Sequence, residues 1–143
     1  MSLRDTVRQL PVRLAAGSFI LHSGLSKWGA DEITAKQLEG FAAGAYPFLA
    51  KLNPQLFVKA LSASELVIGT AVLLPFVPAG VAGVALTAFS AGLIGLYLRT
   101  PGMRQEGSLR PTEQGVPLAK DVWLAAIGIS MVLDGLVGRG RRS

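Results

Sequence analysis

The residues with the clearest chemical potential are Glu65 and His22, an acid and the one histidine of a strongly apolar chain. Both lie inside long apolar stretches, His22 within residues 11–28 and Glu65 within residues 54–76. A charged side chain at the centre of a bilayer costs about 2.5–3.5 kcal/mol on insertion scales, so such a group faces a cavity or a partner. We therefore expect Glu65 to point into a helix bundle, with His22 as its partner.

Depth along the two helices supports this pairing. Lys27 and Lys59 would mark one membrane interface, with His22 five residues deeper than Lys27 and Glu65 six residues deeper than Lys59. At a rise of about 1.5 Å per residue, the two side chains lie at similar depths. Two interpretations stay open: a buried hydrogen bond that only fixes the helix register, or a site for a ligand or a proton.

Other polar residues fall near this pair. Ser18 lies one turn from His22, and Ser62 lies three residues before Glu65. Arg13 and Lys27 share one face of the first helix with its glycines. The candidate pocket residues on this helix pair are Glu65, His22, Ser18, Ser62, Arg13 and Lys27.

Four apolar stretches must position these residues, and each has a proline near its start. Proline is tolerated in the first turn of a helix, where its missing N–H has no intrahelical acceptor. The sequence therefore predicts an all-α fold, a bundle of four transmembrane helices in one domain over residues 1–143. The predicted spans are 11–28, 54–76, 78–98 and 117–137.

The composition favours lipid over a soluble helical core, which is the competing interpretation. Half of the residues are apolar and 16% are charged, and the mean hydropathy is +0.46. Residues 78–98 contain no Asp, Glu, His, Lys or Arg, and an uncharged stretch of about 18 or more residues is typical of a membrane span.

The connection between the first two spans contains a helical pattern. Thr34 and Gln37 have the spacing of a capping box, and apolar residues follow at helical spacing to Ala45. We expect a short amphipathic helix over Thr34 to Ala45 that lies at the membrane surface as a lid, with an ordinary surface loop as the alternative. Residues 100–116 have no hydrophobic period and are expected to be solvated.

Small residues recur at four-residue steps in the third span. Such a stripe lets another backbone approach closely in lipid. It indicates either an oligomer interface or packing within the same bundle, and the second is favoured. Its members are Ala79, Gly83, Thr87, Ala91 and Gly95.

Charge and cysteine content limit the remaining possibilities. The net charge of +5 comes without a basic run interleaved with aromatics, so nucleic acid is not an expected partner. The total count of Lys and Arg, six near the termini against eight on the side of the two long loops, argues against a cytoplasmic N-terminus, but the arginines next to the first and fourth spans favour two cytoplasmic termini. With no cysteine and one histidine, the chain can supply neither thiolate metal ligands nor bis-histidine haem ligation, and no metal site is predicted.

Three segments resemble the DoxX-like family of small bacterial membrane proteins. Residues 13–27, with Arg13 and the terminal Gly24-Leu25-Ser26-Lys27, resemble the family's first helix. Residues 64–69 resemble its second-helix glutamate and glycine. Ala119-Lys120-Asp121 resembles the charged step that opens its fourth helix, with aspartate where asparagine is more common. The resemblance adds Lys120 and Asp121 to the candidate pocket residues.

The resemblance implies a multi-pass protein of the cytoplasmic membrane that serves as a subunit or anchor of a redox-linked assembly. The expectation is a non-catalytic subunit without a covalent cofactor, which binds quinone or lipid and has a protein partner or a second copy of itself as its neighbour. Two alternatives stay open: an oligomeric small-molecule carrier or channel, and a purely structural assembly subunit.

Overall fold

The computed structural model describes residues 3–140, and regular secondary structure in this part of the chain is helical. A five-residue 3₁₀ helix, Pro47–Lys51, lies between α2 and α3. The α-helices are α1 Leu3–Trp28, α2 Glu32–Ala45, α3 Pro54–Leu73, α4 Ala79–Arg99, α5 Val116–Ala119 and α6 Asp121–Gly140.

The long helices form two antiparallel pairs, α1 with α3 and α4 with α6. Glycines bring the backbones together in both pairs. A Cβ on Gly69 would lie 2.7 Å from the backbone nitrogen of Leu21. In the other pair, a Cβ on Gly83 would lie 2.6 Å from the carbonyl oxygen of Gly128. Close backbone approach of this kind is how helices pack where water supplies no hydrophobic drive.

Three helical segments are long and apolar enough to span a membrane: Pro54–Leu73, Ala79–Arg99 and the nearly continuous Val116–Gly140. Only 22–28% of the residues in their most apolar windows are buried inside the chain. Large hydrophobic side chains therefore cover the outside of the bundle, which is consistent with a membrane protein. The predicted first span, residues 11–28, is not among these three segments.

The prediction that a proline marks the start of each helix holds for α3 but not for α1. Pro54 is the first residue of α3, and Asn53 caps it by accepting hydrogen bonds from two backbone N–H groups. Pro11, however, lies inside α1, which begins eight residues earlier at Leu3. The early residues are held by tertiary contacts, since Arg8 and Gln9 both donate to the Asp134 carboxylate of α6.

Helix α3 also ends earlier than the predicted second span, which ran to residue 76. The helix ends at Leu73, and Leu74 is extended with ψ of 115°. Leu74 precedes Pro75, and the proline ring disfavours helical backbone in the residue before it.

The predicted amphipathic helix is present as α2 but begins at Glu32. Its N-cap is Asp31, whose carboxylate accepts from the N–H of Thr34, so the predicted capping box at Thr34 is wrong. Hydrogen bonding with Thr34 lowers the pKa of Asp31 from its ordinary value, because it stabilises the charged carboxylate. Asp31 lies three residues nearer the end of α1 than Thr34, so the helix begins earlier and the Asp31 carboxylate caps its first turn.

Part of the small-residue stripe of α4 packs within the chain, whereas Ala91 is exposed. Gly83 and Thr87 both contact the backbone of Gly128, as the favoured interpretation expected. The segment after α4 has no helix before Val116, but it is ordered by its own hydrogen bonds, including one from the Tyr97 hydroxyl to the Leu109 carbonyl.

Candidate functional site

A buried ion pair joins α1 to α3. The Lys27 ammonium lies 3.1 Å from each carboxylate oxygen of Glu65. Glu65 is 4% exposed, so its charge is removed from solvent and balanced by Lys27. Burying a carboxylate without such a partner would be costly. Glu65 therefore points into the bundle, as the sequence predicted.

Local packing fixes the position of this pair. Ser23, one turn before Lys27, accepts a hydrogen bond of 2.5 Å from the ammonium through its hydroxyl oxygen. The hydroxyl of Ser62, one turn before Glu65, donates to the carbonyl of Gly24 at 2.7 Å. A Cβ on Gly24 would lie 3.0 Å from the backbone nitrogen of Leu66, so this glycine sets the close approach of the helices. The two charged groups are thus held by backbone contacts on both sides.

The ion pair lines a partly enclosed cavity of about 490 Å³. The lid, which we define as residues 32–51, supplies Phe41, Tyr46 and Leu49 to the lining. Helix α4 supplies one face, residues 88, 89, 92, 93 and 96. The Tyr46 hydroxyl donates to the Gly92 carbonyl at 2.8 Å, which fastens the lid to α4. The wall is mostly apolar, with a small number of polar groups.

Asp121 brings a second carboxylate to this cavity from the start of α6. It is 8% exposed, and the Glu65 carboxylate repels it electrostatically. Helix α5 and the turn at Lys120 place the Asp121 side chain at the cavity. This is the charged segment that was expected to open the fourth span. Lys120 itself is exposed and does not line the cavity.

His22 is not the partner of Glu65. It is exposed on the outer face of α1, and Ser18 is exposed as well. The prediction matched depth along the helix but not direction around it. At about 3.6 residues per turn, His22 lies roughly 160° from Gly24, whereas Lys27 lies on the Gly24 face.

Arg13 is buried but lies outside the cavity lining. Its guanidinium donates to the carbonyls of Val72, Leu74 and Val77 and to the Gln9 side chain. The carbonyls at the end of a helix have no intrahelical donors, and a cation there also complements the helix dipole. Arg13 therefore caps the C-terminal end of α3 by hydrogen-bonding to carbonyls there and in the turn that follows.

Two polar residues of the cavity were missed by the sequence analysis, Ser23 and Tyr46. The signal for Ser23 was available, since it precedes Lys27 by one helical turn. Tyr46 was expected as one of the aromatic residues of the lid, but its place in the cavity depends on how the lid folds over α4.

No protein-family model, curated protein or solved structure matches this chain. The resemblance to DoxX-like proteins consequently rests on the residues of the three segments quoted above.

Proposed function

We propose that this chain is an integral membrane protein of four spans, and a subunit or anchor of a redox-linked assembly that holds a quinone or lipid in its cavity. The observation that carries the proposal is an apolar cavity of about 490 Å³ with a buried Lys27–Glu65 ion pair in its wall. Ligand pockets commonly have volumes of about 300–1,000 Å³, mostly apolar walls and few polar groups.

Helix α1 supplies the fourth span in this proposal. Its 26 residues reach about 39 Å at 1.5 Å per residue, more than the roughly 30 Å of the hydrocarbon core. It packs along α3, and its inward charges are satisfied by the chain itself, Arg13 by carbonyls and Lys27 by Glu65. Leu14, Phe19 and Leu25 are exposed on its outside, where lipid would cover them.

Cysteine labelling in sealed vesicles tests this topology, because the chain has no cysteine of its own. Single cysteines replace Arg4, Ser108 and Ser143. Ser143 lies outside the described residues, and so do Arg141 and Arg142, which the topology prediction used. Four spans place Arg4 and Ser143 on one side and Ser108 on the other. A three-span chain with α1 outside the membrane would instead label Arg4 and Ser108 from the same side. Labelling of Ser108 and Ser143 from one side would contradict both.

Pocket-filling variants test the ligand. Gly92 lies at the centre of the α4 face that lines the cavity, and a Cβ there would meet no atom within 4 Å. Gly92→Leu should fill the cavity without disturbing the helix pairs. Gly138→Leu is the matched control, since that Cβ also meets no atom and Gly138 does not line the cavity.

The measurement is mass spectrometry of isoprenoid quinones and lipids that co-purify with each protein, together with decylubiquinone binding in nanodiscs. Wild type and the Gly138 control should retain both, and Gly92→Leu should lose them. Equal retention by all three proteins would exclude the cavity as the binding site, and a protein that co-purifies with a stable partner but no ligand would be a structural subunit.

The redox link is tested in cells that lack the gene. Glu65→Gln keeps the size of the side chain and removes its charge. If the ion pair supports function, this variant should fail to restore the oxidative-stress or respiratory phenotype even when its protein level in the membrane equals that of the wild type. Full complementation would show that the role of Glu65 is structural and that its charge is not needed for function.

A further inference from the structure

The polar groups that line the cavity differ in whether they already form hydrogen bonds or ion pairs within the protein. The Lys27 ammonium has three N–H donors, and it contacts both Glu65 oxygens and the Ser23 hydroxyl. Its donors and the Glu65 oxygens are therefore engaged with each other. The Tyr46 hydroxyl is engaged with the Gly92 carbonyl. The Lys27 ammonium therefore has no free N–H for a ligand, whereas the Glu65 and Tyr46 oxygens can accept a further bond beside those they already make.

Asp121 is different. Its side chain lines the cavity and is more than nine-tenths buried, yet among residues 3–140 its carboxylate accepts no side-chain or backbone hydrogen bond and forms no ion pair. Buried carboxylates are normally paired or hydrogen-bonded, because their desolvation is otherwise uncompensated. An acceptor is thus left over in an apolar cavity.

The position of Asp121 at the first residue of α6 accounts for part of this arrangement. The helix dipole favours a negative charge at that end. The dipole does not explain why the carboxylate faces the cavity, where Glu65 repels it. Lys27 pairs with Glu65, so the Asp121 carboxylate lines the cavity without a cation partner among residues 3–140.

We propose that Asp121 is the headgroup-binding residue of the cavity, and that it selects lipid-soluble molecules whose headgroup donates hydrogen bonds, a hydroxyl or an ammonium, over those that only accept. The inference rests on the proposed function, because it assumes that the cavity holds a ligand. For a quinone pool, it means that the hydroxyl-bearing quinol binds in preference to the quinone, whose two carbonyls only accept. The apolar lining contributed by α4 and the lid receives the hydrocarbon tail.

Three probes with the same tail test the headgroup preference: tritiated dodecylamine, dodecanol and dodecanoic acid. Binding is measured on the full chain in nanodiscs of phosphatidylcholine, with empty nanodiscs subtracted to remove partition into lipid. The wild-type protein should bind amine more tightly than alcohol, and alcohol more tightly than acid. Acid binding equal to or tighter than amine binding would overturn the proposal without any substitution.

Asp121→Asn removes the charge at nearly constant shape. It should weaken amine binding at least about tenfold, since a charge-assisted hydrogen bond is roughly twice as strong as a neutral one. Dodecanoic acid should bind better than before. Asp134→Asn is the control on the same helix, because Asp134 lies near its other end and pairs with Arg8 instead. Unchanged amine binding by a folded Asp121→Asn protein would overturn the assignment.

The Gly92→Leu variant separates this inference from the proposed function. If it displaces all three probes while Asp121→Asn leaves their order unchanged, the cavity binds ligands but Asp121 does not select them. If Gly92→Leu displaces none, the probes bind elsewhere and the proposed function fails as well.

Discussion

Replacing Arg13 should destabilise the helix bundle far more than replacing Arg8, an exposed cation of the same helix. Arg13 is 3% exposed and donates to the carbonyls of Val72, Leu74 and Val77 at 2.8–3.1 Å. The bond to Val72 is fully buried, and the other two are partly buried. Arg13→Met keeps the apolar stem and removes the guanidinium donors from all three carbonyls, of which only Leu74 also accepts from a backbone N–H in the described part of the chain, that of Val77.

The magnitude follows from the burial of each acceptor. An unsatisfied buried carbonyl costs about 1–3 kcal/mol, and each partly buried bond contributes about 1 kcal/mol net. We therefore expect Arg13→Met to lower the free energy of unfolding by about 3–5 kcal/mol. Arg13→Lys should recover less than half of this loss, because one ammonium cannot span three carbonyls as the planar guanidinium fork does.

The assay is reversible unfolding by sodium dodecyl sulfate in mixed micelles, followed by circular dichroism. Arg8→Met is the matched control, since the Arg8 side chain is 60% exposed and its ion pair with Asp134 is of the kind that contributes about 0–1 kcal/mol. If Arg13→Met cost no more than Arg8→Met, or if Arg13→Lys were as stable as wild type, the carbonyl contacts would not be what holds α1 against α3.

Three further outcomes are expected. Gly83→Val should separate α4 from α6, because its Cβ would meet backbone atoms at 2.6–2.8 Å; thermal unfolding should show a large loss of stability, whereas Gly138→Val should change little. Lys27→Met leaves a buried carboxylate unpaired and should cost about 3–5 kcal/mol, most of which Glu65→Gln added to it should restore in a double-mutant cycle. Asn53→Ala removes the α3 cap and should cost about 1 kcal/mol; no change in hydrogen exchange of the first α3 turn would argue against the cap.

Periodicity and composition were enough to predict the helical class and the main elements. The prediction of a helix in the uncharged stretch that forms α4 is confirmed, and so is the start of α3 at Pro54. Both features depend on residues that are neighbours along the chain. The burial of Glu65 also followed from sequence, because an ionisable group in an apolar helix has few stable places other than the bundle interior.

Tertiary contacts decided what local pattern could not. The partner of Glu65 is Lys27 rather than His22 because helix packing selects a direction around the axis as well as a depth, and the glycine face of α1 turns Lys27 inward. Pro11 lies inside α1 because Arg8 and Gln9 bind Asp134, a residue more than a hundred positions away. Asp121 enters the cavity only when α6 packs on α4. Sequence by itself determined which segments are helical and apolar, since those properties are local. Which charges meet inside the bundle depends on distant backbones coming together, and only the tertiary structure decided it.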